Sequence, residues 1–396
     1  MSLRPSITLA AMSVVFFLIT ATTFSSLGVV LPAMIGELHW SWGAAGTGFS
    51  LLGVAVGITS TIPASMIRRL GVRATLVTGS LVMGLAFLCL AVTHGLILYF
   101  LGCLLAGLGF TLLATVPGTY LLTRLFAQPS FPFGLYFTVG GLGGVAGPIL
   151  YLWVQSAAQN WRAYWLVSLV IVTVAGLLSA VLVDTKTDVR AGDEEDADIT
   201  VDAWTAKAAL KNPQFAVLAA AYSIFPFVGI TVSAVAVGHL MRHGVGVALA
   251  GGAMSLEALF NAGARFMGGV LVRWISAKTL LLVALGLMIM GLMALSVAHG
   301  TDLIIVYAVG VGAGYGLTFF ASTIMLLDYF GRGPNLELFA TVNLISTAGA
   351  AGPAFAGFVS DHAGSFVPAF VILEALALIV LIGVAPMRAP KRRVAA

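Results

Sequence analysis

The chain has 396 residues, 60% of them hydrophobic and only 9% charged, with a formal net charge of +4. A soluble domain carries about 25% charged residues, so this composition leaves too little polar surface to cover a soluble core and excludes a soluble globular fold. The apolar runs are long and do not alternate, which argues against a transmembrane β-barrel and leaves an all-α polytopic membrane protein.

A spanning helix needs about 20 apolar residues. Charges and turn residues divide the chain into twelve predicted spans: 6–35, 42–66, 74–93, 95–123, 131–156, 161–183, 213–240, 246–271, 277–298, 302–328, 335–359 and 365–387. The first is long enough to be a span itself, so no cleavable signal peptide is expected. Cys89 and Cys103 lie in the third and fourth spans and read as small buried thiols, not as a disulfide or a metal site. The glycine run 140–144 lies inside the fifth span and reads as a helix-packing surface.

One long polar stretch, with Asp193, Glu194, Glu195, Asp196 and Asp198, separates six spans from six. It ends in an amphipathic piece from Trp204 to Leu210 and reads as a flexible linker. The expected division is an N-terminal six-helix bundle over 1–183, an acidic cytoplasmic linker over 184–212, and a C-terminal six-helix bundle over 213–396. The basic tail after Arg388 suits anionic lipid headgroups.

With the N-terminus placed inside, sixteen of the 19 Lys and Arg fall on the cytoplasmic side and only Arg162 and Arg242 fall outside. That bias is the positive-inside pattern. It predicts an inner-membrane protein with both termini cytoplasmic. The remaining cation, Arg265, sits inside the eighth span.

The two halves resemble each other in order. At an offset of 205, Ser50-Leu51 meets Ser255-Leu256, Arg68 meets Arg273, Arg73 meets Lys278, and Gly147-Pro148 meets Gly352-Pro353. Val92-Thr93-His94-Gly95 meets Val297-Ala298-His299-Gly300 at the same offset. Past Thr301 and Asp302 an offset of 207 lays the run from Gly107 on the run from Gly314, pairing Leu108 with Tyr315. A parallel repeat of six spans and six is the plan of the major facilitator fold, with a substrate site between the halves near the bilayer midplane.

The loop after the second span, from Ala64 through Arg68, Arg69 and Gly71 to Arg73, resembles the superfamily's Gly-x-x-x-Asp-Arg-x-Gly-x-Arg motif. Ala64 and Arg68 replace its first glycine and its acid. The lost acid argues against the usual salt-bridge scheme of this loop, but Arg68, Arg69 and Arg73 can still pair across the halves with Asp328 or Glu337 as a cytoplasmic gate. The bland alternative is that they only set topology. Gly352-Pro353, Gly357, Asp361, Gly364-Ser365-Phe366 and Ala369-Phe370, with Asn160-Trp161-Arg162 before the sixth span, resemble the branch that holds oxalate:formate antiporters and monocarboxylate transporters.

The eighth span carries the strongest signal. Glu257, Asn261 and Arg265 follow one another at four-residue spacing and so line one helix face. Their counterparts at the 205 offset are Leu52, Val56 and Ser60, so the fold does not require charge there. A guanidinium at the bilayer centre costs at least about 2.5 kcal/mol, an expense that points to function. Arg265 is a planar fork suited to gripping one carboxylate by two hydrogen bonds. Asn261 and Arg265 resemble the eighth-span pair of monocarboxylate transporters, which implies that Arg265 binds the carboxylate and Asn261 assists. The eleventh span offers Asn343, Ser346 and Thr347 but no cation, and the first-span run from Thr20 to Pro32 is uncharged. Both departures from the family pattern argue against carrying over a dicarboxylate exchange or an animal-type lactate mechanism wholesale.

Tyr315 and Tyr120 are the next candidate substrate residues, with Phe24, Leu27, Leu142 and Phe319 as apolar lining. Tyr136 is a weaker candidate. Glu257 is the candidate proton carrier, because loading a proton with an anion cancels charge. Glu374 reads as structural, and His239 and His243 as interfacial. No hydrolase, phosphate-loop, metal or nucleic-acid motif is present, so no enzyme activity, metal or cofactor is expected. The predicted function is alternating-access transport of a small organic anion, most simply a monocarboxylate with a proton, by a monomer in the lipid bilayer. Open alternatives are carboxylate exchange, drug or metabolite export by the same fold, and a non-transporting receptor or assembly protein.

Overall fold

A computed structural model describes residues 3–126, 130–183, 204–331 and 335–390. The acidic cluster of the linker and the tail from Lys391 onward lie outside the described residues. Among the described residues there are sixteen α-helices and no strands.

Helices α1 (Leu3–Thr22) and α2 (Phe24–Leu38) make the first crossing. The second is α3 (Trp42–Ile58) with the start of α4 (Ile62–Ala91), and the rest of α4 is the third. Helices α5 (Leu96–Leu113) and α6 (Thr115–Leu125) form the fourth, α7 (Ser130–Ala158) the fifth and α8 (Trp161–Leu182) the sixth. After the short α9 (Ala206–Leu210), crossings seven to ten are α10 (Pro213–Arg242), α11 (Val247–Leu271), α12 (Ala277–Ser296) and α13 (Thr301–Phe330). The eleventh joins α14 (Asn335–Ser346), a 3-10 turn (Thr347–Ala351) and α15 (Gly352–Ala363), and α16 (Val367–Val384) is the twelfth.

Among the described residues eleven helical stretches are apolar and long enough to cross a membrane, one of them the 50-residue run Trp42–Ala91. As one helix that run would be about 75 Å long, against a hydrocarbon core of about 30 Å. It turns at Gly71, whose φ of 83° and ψ of 164° a side chain would oppose. The run is therefore two crossings, and twelve result.

Breaks inside crossings free backbone groups that lipid cannot satisfy. At the break between α1 and α2, the hydroxyls of Thr22 and Ser26 donate to Leu18 O and Ala21 O at 2.8 and 2.5 Å, and the Thr23 hydroxyl adds a second donor at 2.6 Å to Ile19 O, which also accepts from Thr23 N. At the break between α5 and α6, the Tyr136 hydroxyl donates to Ala114 O at 2.8 Å. Tyr136 is thereby held in the core as a backbone-satisfying group.

Packing fixes the register of the repeat. A Cβ on Gly107 would meet Leu52 O at 2.5 Å, and a Cβ on Gly312 would collide with Glu257 O. Gly109 likewise lies against Met83 N, and Gly314 against Met288 N. Both pairs of contacts are related by 205. The offset of 207 expected beyond Asp302 is therefore corrected: no residue is inserted, the helices start at Leu96 and Thr301, also 205 apart, and Tyr315 is the counterpart of Phe110, not of Leu108.

The two halves meet at the end opposite the linker, called here the far end. The Asp361 carboxylate on α15 accepts from Trp42 N and Gly43 N, the first amides of α3, at 2.9 and 2.8 Å. Ser50 Oγ accepts from Ala354 N at 3.0 Å, and Ser255 Oγ donates to Val145 O at 2.8 Å. Arg242 donates to Ser360 Oγ at 2.7 Å and lies over the rings of Trp42 and Phe366. Glycines permit backbone contact across the seam, Gly28 on Ser233 O and Gly46 on Pro353 O. Toward the linker end Gly57 of α3 lies on the Thr347 side chain, and Gly141 of α7 on Ala262 of α11.

Candidate functional site

Arg265 lies about one turn beyond Ala262 on α11, where the halves part. On a helix of 3.6 residues per turn it points between the face holding Glu257, Asn261 and Gly268 and the face holding Ala258 and Ala262. The first face packs on α13, through Gly312, Gly316 and Phe320. The second meets α7 through Gly144 and Gly141. The Arg265 side chain is therefore aimed into the opening, and it is exposed there.

Its guanidinium is held without a carboxylate. Nε donates to Asn261 Oδ1 at 3.0 Å, one helical turn back. The charge lies 4.7 Å from the centroid of the Phe319 ring and 5.6 Å from that of Tyr315, within cation–π range. Phe225 of α10 buttresses both rings, at 5.2 Å from Tyr315 and 5.3 Å from Phe319. Gly229 leaves no room for a Cβ against the Tyr315 ring, so α10 seats that ring directly. Tyr222 stacks beside Phe319 at 5.9 Å and donates to Asn343 Oδ1 on α14 at 3.0 Å. The remaining guanidinium N–H groups thus face the opening with a polar amide and phenols around them. That arrangement can accept one planar anion in two hydrogen bonds.

Glu257 lies two turns toward the far end and is buried, 7% exposed. Its Oε2 accepts from the Tyr307 hydroxyl on α13 at 2.8 Å. It does not pair with Arg265; among the described residues the only ion pair joins Arg162 to Glu37.

The other predicted residues fall in several places. Tyr120 on α6 is half-buried, with the Arg124 guanidinium 4.6 Å from its ring centroid. Phe24 is partly exposed at the seam, whereas Leu27 is fully buried and lines no opening. Of the predicted gate, Arg68, Arg69, Asp328 and Glu337 are exposed, and Arg73 donates to Val183 O at 3.1 Å. None of the five pairs across the halves here. Asn160, Trp161 and Arg162 are a clamp: Asn160 caps α8, while Trp161 Nε1 and the Arg162 guanidinium both hold Glu37 at the end of α2. His239 is corrected from interfacial to core. It is 1% exposed, with Nε2 2.9 Å from Leu295 O and its ring against His243 and Phe370. Glu374 on α16 accepts from Ser296 Oγ of α12 at 3.2 Å, a contact between helices.

Sequence reasoning missed Tyr307, Tyr222 and Phe225. The repeat held the signal. Tyr307 stands where the N-terminal half has Gly102, as Glu257 stands where it has Leu52. The tyrosine and the acid appear together in one half only.

The family model of the Major Facilitator Superfamily matches residues 13–351. No curated protein matches the sequence. Solved structures share the fold at low identity. The nucleoside transporter NupG superposes with a TM-score of 0.76 at 12% identity, over 96% of this chain and 98% of that chain. A bacterial homolog of the human lysosomal transporter Spinster, in an inward-facing and unoccupied conformation, gives 0.72 at 17% identity, over 97% and 96%. A POT family transporter in complex with 5-aminolevulinic acid gives 0.75 at 14% identity, over 95% of each. The family match over most of the chain, twelve apolar crossings and an interior site between the halves lead to one conclusion: this chain belongs to the Major Facilitator Superfamily and is a multi-pass membrane transporter, not an enzyme.

Proposed function

We propose that the protein carries a small monocarboxylate together with a proton across the inner membrane by alternating access, with both termini cytoplasmic. The observation that carries this reading is the state of Arg265. Its guanidinium opens into the seam between the halves, is oriented by a hydrogen bond to Asn261 and by the rings of Phe319 and Tyr315, and has no acidic partner among the described residues. A permanent cation at that depth is stabilised by an anion arriving from water, and one cation balances one carboxylate. No second Lys or Arg lies inside a crossing among the described residues to hold the other charge of a dianion.

Glu257 supplies the proton site in this reading. It is buried beside the substrate position with Tyr307 as its hydrogen-bond partner and no cation on it. A proton on Glu257 and an anion on Arg265 leave the loaded site neutral apart from the pair itself, which lowers the cost of moving the two halves past each other. The conformation described is closed at the far end by Asp361, Ser50 and Ser255. The transport cycle breaks those contacts and closes the linker end, where Arg68, Arg69 and Arg73 of one half meet Asp328 and Glu337 of the other. The two six-helix bundles, 1–183 and 213–396, move as the rocking units.

Uptake of radiolabelled monocarboxylates into proteoliposomes tests the proposal. Arg265→Ala and Arg265→Lys are expected to abolish uptake while the protein remains folded and inserted. Near-normal uptake by Arg265→Ala would refute it.

A further inference from the structure

The half opposite Arg265 meets the substrate with aromatic rings and no charge. Between Pro5 and Val183 the charged side chains are Glu37, Arg68, Arg69, Arg73, Arg124 and Arg162, all at crossing ends. In the interior of that half, Phe16 of α1 lies 6.0 Å from Phe137 of α7 and 6.4 Å from Phe110 of α5. Phe24 of α2 lies 5.7 Å from Phe110. Phe16, Phe24 and Phe110 are partly exposed, and Phe137 is 43% exposed.

Helix geometry puts this wall at the level of Arg265. Gly141 of α7 lies against Ala262 of α11, and the two helices run antiparallel. One turn toward the linker end is Phe137 on α7 and residues 265–266 on α11, each displaced by about 5–6 Å. Phe137 and Arg265 therefore occupy the same layer on opposite sides of the opening. The repeat gives a second, independent relation: Tyr315, which holds the guanidinium, is the counterpart of Phe110, which belongs to the wall. Pseudo-symmetric positions carry a phenol on the charged side and a plain phenyl on the facing side.

We infer that the substrate is a carboxylate bearing an aromatic ring, its carboxylate on Arg265 and its ring against Phe137, Phe16 and Phe110. This inference rests on the carboxylate reading of Arg265. Aliphatic bodies gain only burial against such a wall, whereas an arene also gains edge-to-face and offset stacking with rings 4.5–7 Å apart, about 2- to 13-fold in affinity per contact.

Isothermal titration calorimetry of the full chain in detergent, with phenylacetate, cyclohexylacetate, acetate and phenylacetamide, tests it. Phenylacetate is expected to bind most tightly, several-fold better than cyclohexylacetate. Phe137→Leu is expected to weaken phenylacetate by about 2- to 13-fold and to leave acetate unchanged, with Phe137→Tyr restoring the preference. Equal binding of phenylacetate and cyclohexylacetate by the wild type, or a Phe137→Leu effect equal for phenylacetate and acetate, overturns the inference and leaves the carboxylate reading standing. Binding of phenylacetamide equal to phenylacetate, or wild-type phenylacetate binding by Arg265→Ala, overturns both.

Discussion

Replacing Asp361 with asparagine is expected to open the far end. The Asp361 carboxylate holds the first two amides of α3 from the opposite half, at 2.9 and 2.8 Å. Those amides are the positive end of a 17-residue helix, so the carboxylate acts as an N-terminal cap supplied across the seam. A hydrogen bond to a charged group contributes about 1.5–3 kcal/mol net. Asparagine keeps one acceptor oxygen but loses the charge, and its amide N–H faces the second backbone donor. The outer side of Asp361 is exposed, so solvent screening places the loss near the lower bound, about 1.5 kcal/mol. A change of that size shifts the ratio of far-end-closed to far-end-open molecules about tenfold. Pulsed electron paramagnetic resonance with spin labels at Ala158 and Thr301, exposed far-end positions on opposite halves, reads that ratio. The native thiols Cys89 and Cys103 are buried and free and would be replaced by alanine in the labelled protein. Asp361→Asn is expected to add a longer-distance population. Superimposable distance distributions for wild type and Asp361→Asn would refute the capping argument.

Glu257→Gln is expected to abolish accumulation driven by a pH gradient while sparing counterflow exchange in proteoliposomes; unchanged pH-driven accumulation would remove Glu257 from the coupling step. Two tyrosines separate a structural from a substrate role. Tyr136→Phe removes one of the two donors to the buried Ala114 carbonyl, which keeps Gly118 N, at a cost of about 0.5–1.5 kcal/mol, and should lower the unfolding midpoint without changing substrate affinity. Tyr315→Phe removes a phenol hydroxyl beside the guanidinium at the open site and keeps the ring contact. It should weaken anion binding with little change in the unfolding midpoint, and the reverse pattern would exchange the two assignments.

The twelve crossings and the unusual cost of Arg265 were legible in sequence because lipid makes both expensive to hide. Long apolar runs and a lone intramembrane guanidinium stand out against a chain that is 9% charged. The break at Gly71 was visible as a loop motif, although the helix is nearly continuous through it. What stayed hidden depends on contacts between distant segments. Asp361 caps a helix 319 residues earlier in the chain, and no local pattern marks its partner. Tyr307 was recoverable only by comparing halves in the correct register, and the chance match of Leu96-Ile97 with Leu303-Ile304 obscured that register until glycine contacts set it. Tyr120 and Leu27 were chosen on residue type and span alone. Burial removed Leu27 from the site, because residue type does not say which way a side chain points in a helix that packs on several faces.

The central claim is that Arg265 receives one carboxylate. Calorimetric titration of the wild type and Arg265→Ala with phenylacetate and lactate, and with oxalate as the dianion, measures it directly. Truncating one partner of a hydrogen-bonded charge pair costs about 2–5 kcal/mol, so a monocarboxylate should bind the wild type one per chain and bind Arg265→Ala at least about 30-fold more weakly. Oxalate should bind more weakly than the monocarboxylates. Monocarboxylate binding that survives Arg265→Ala unchanged, or a preference for oxalate, would contradict the account.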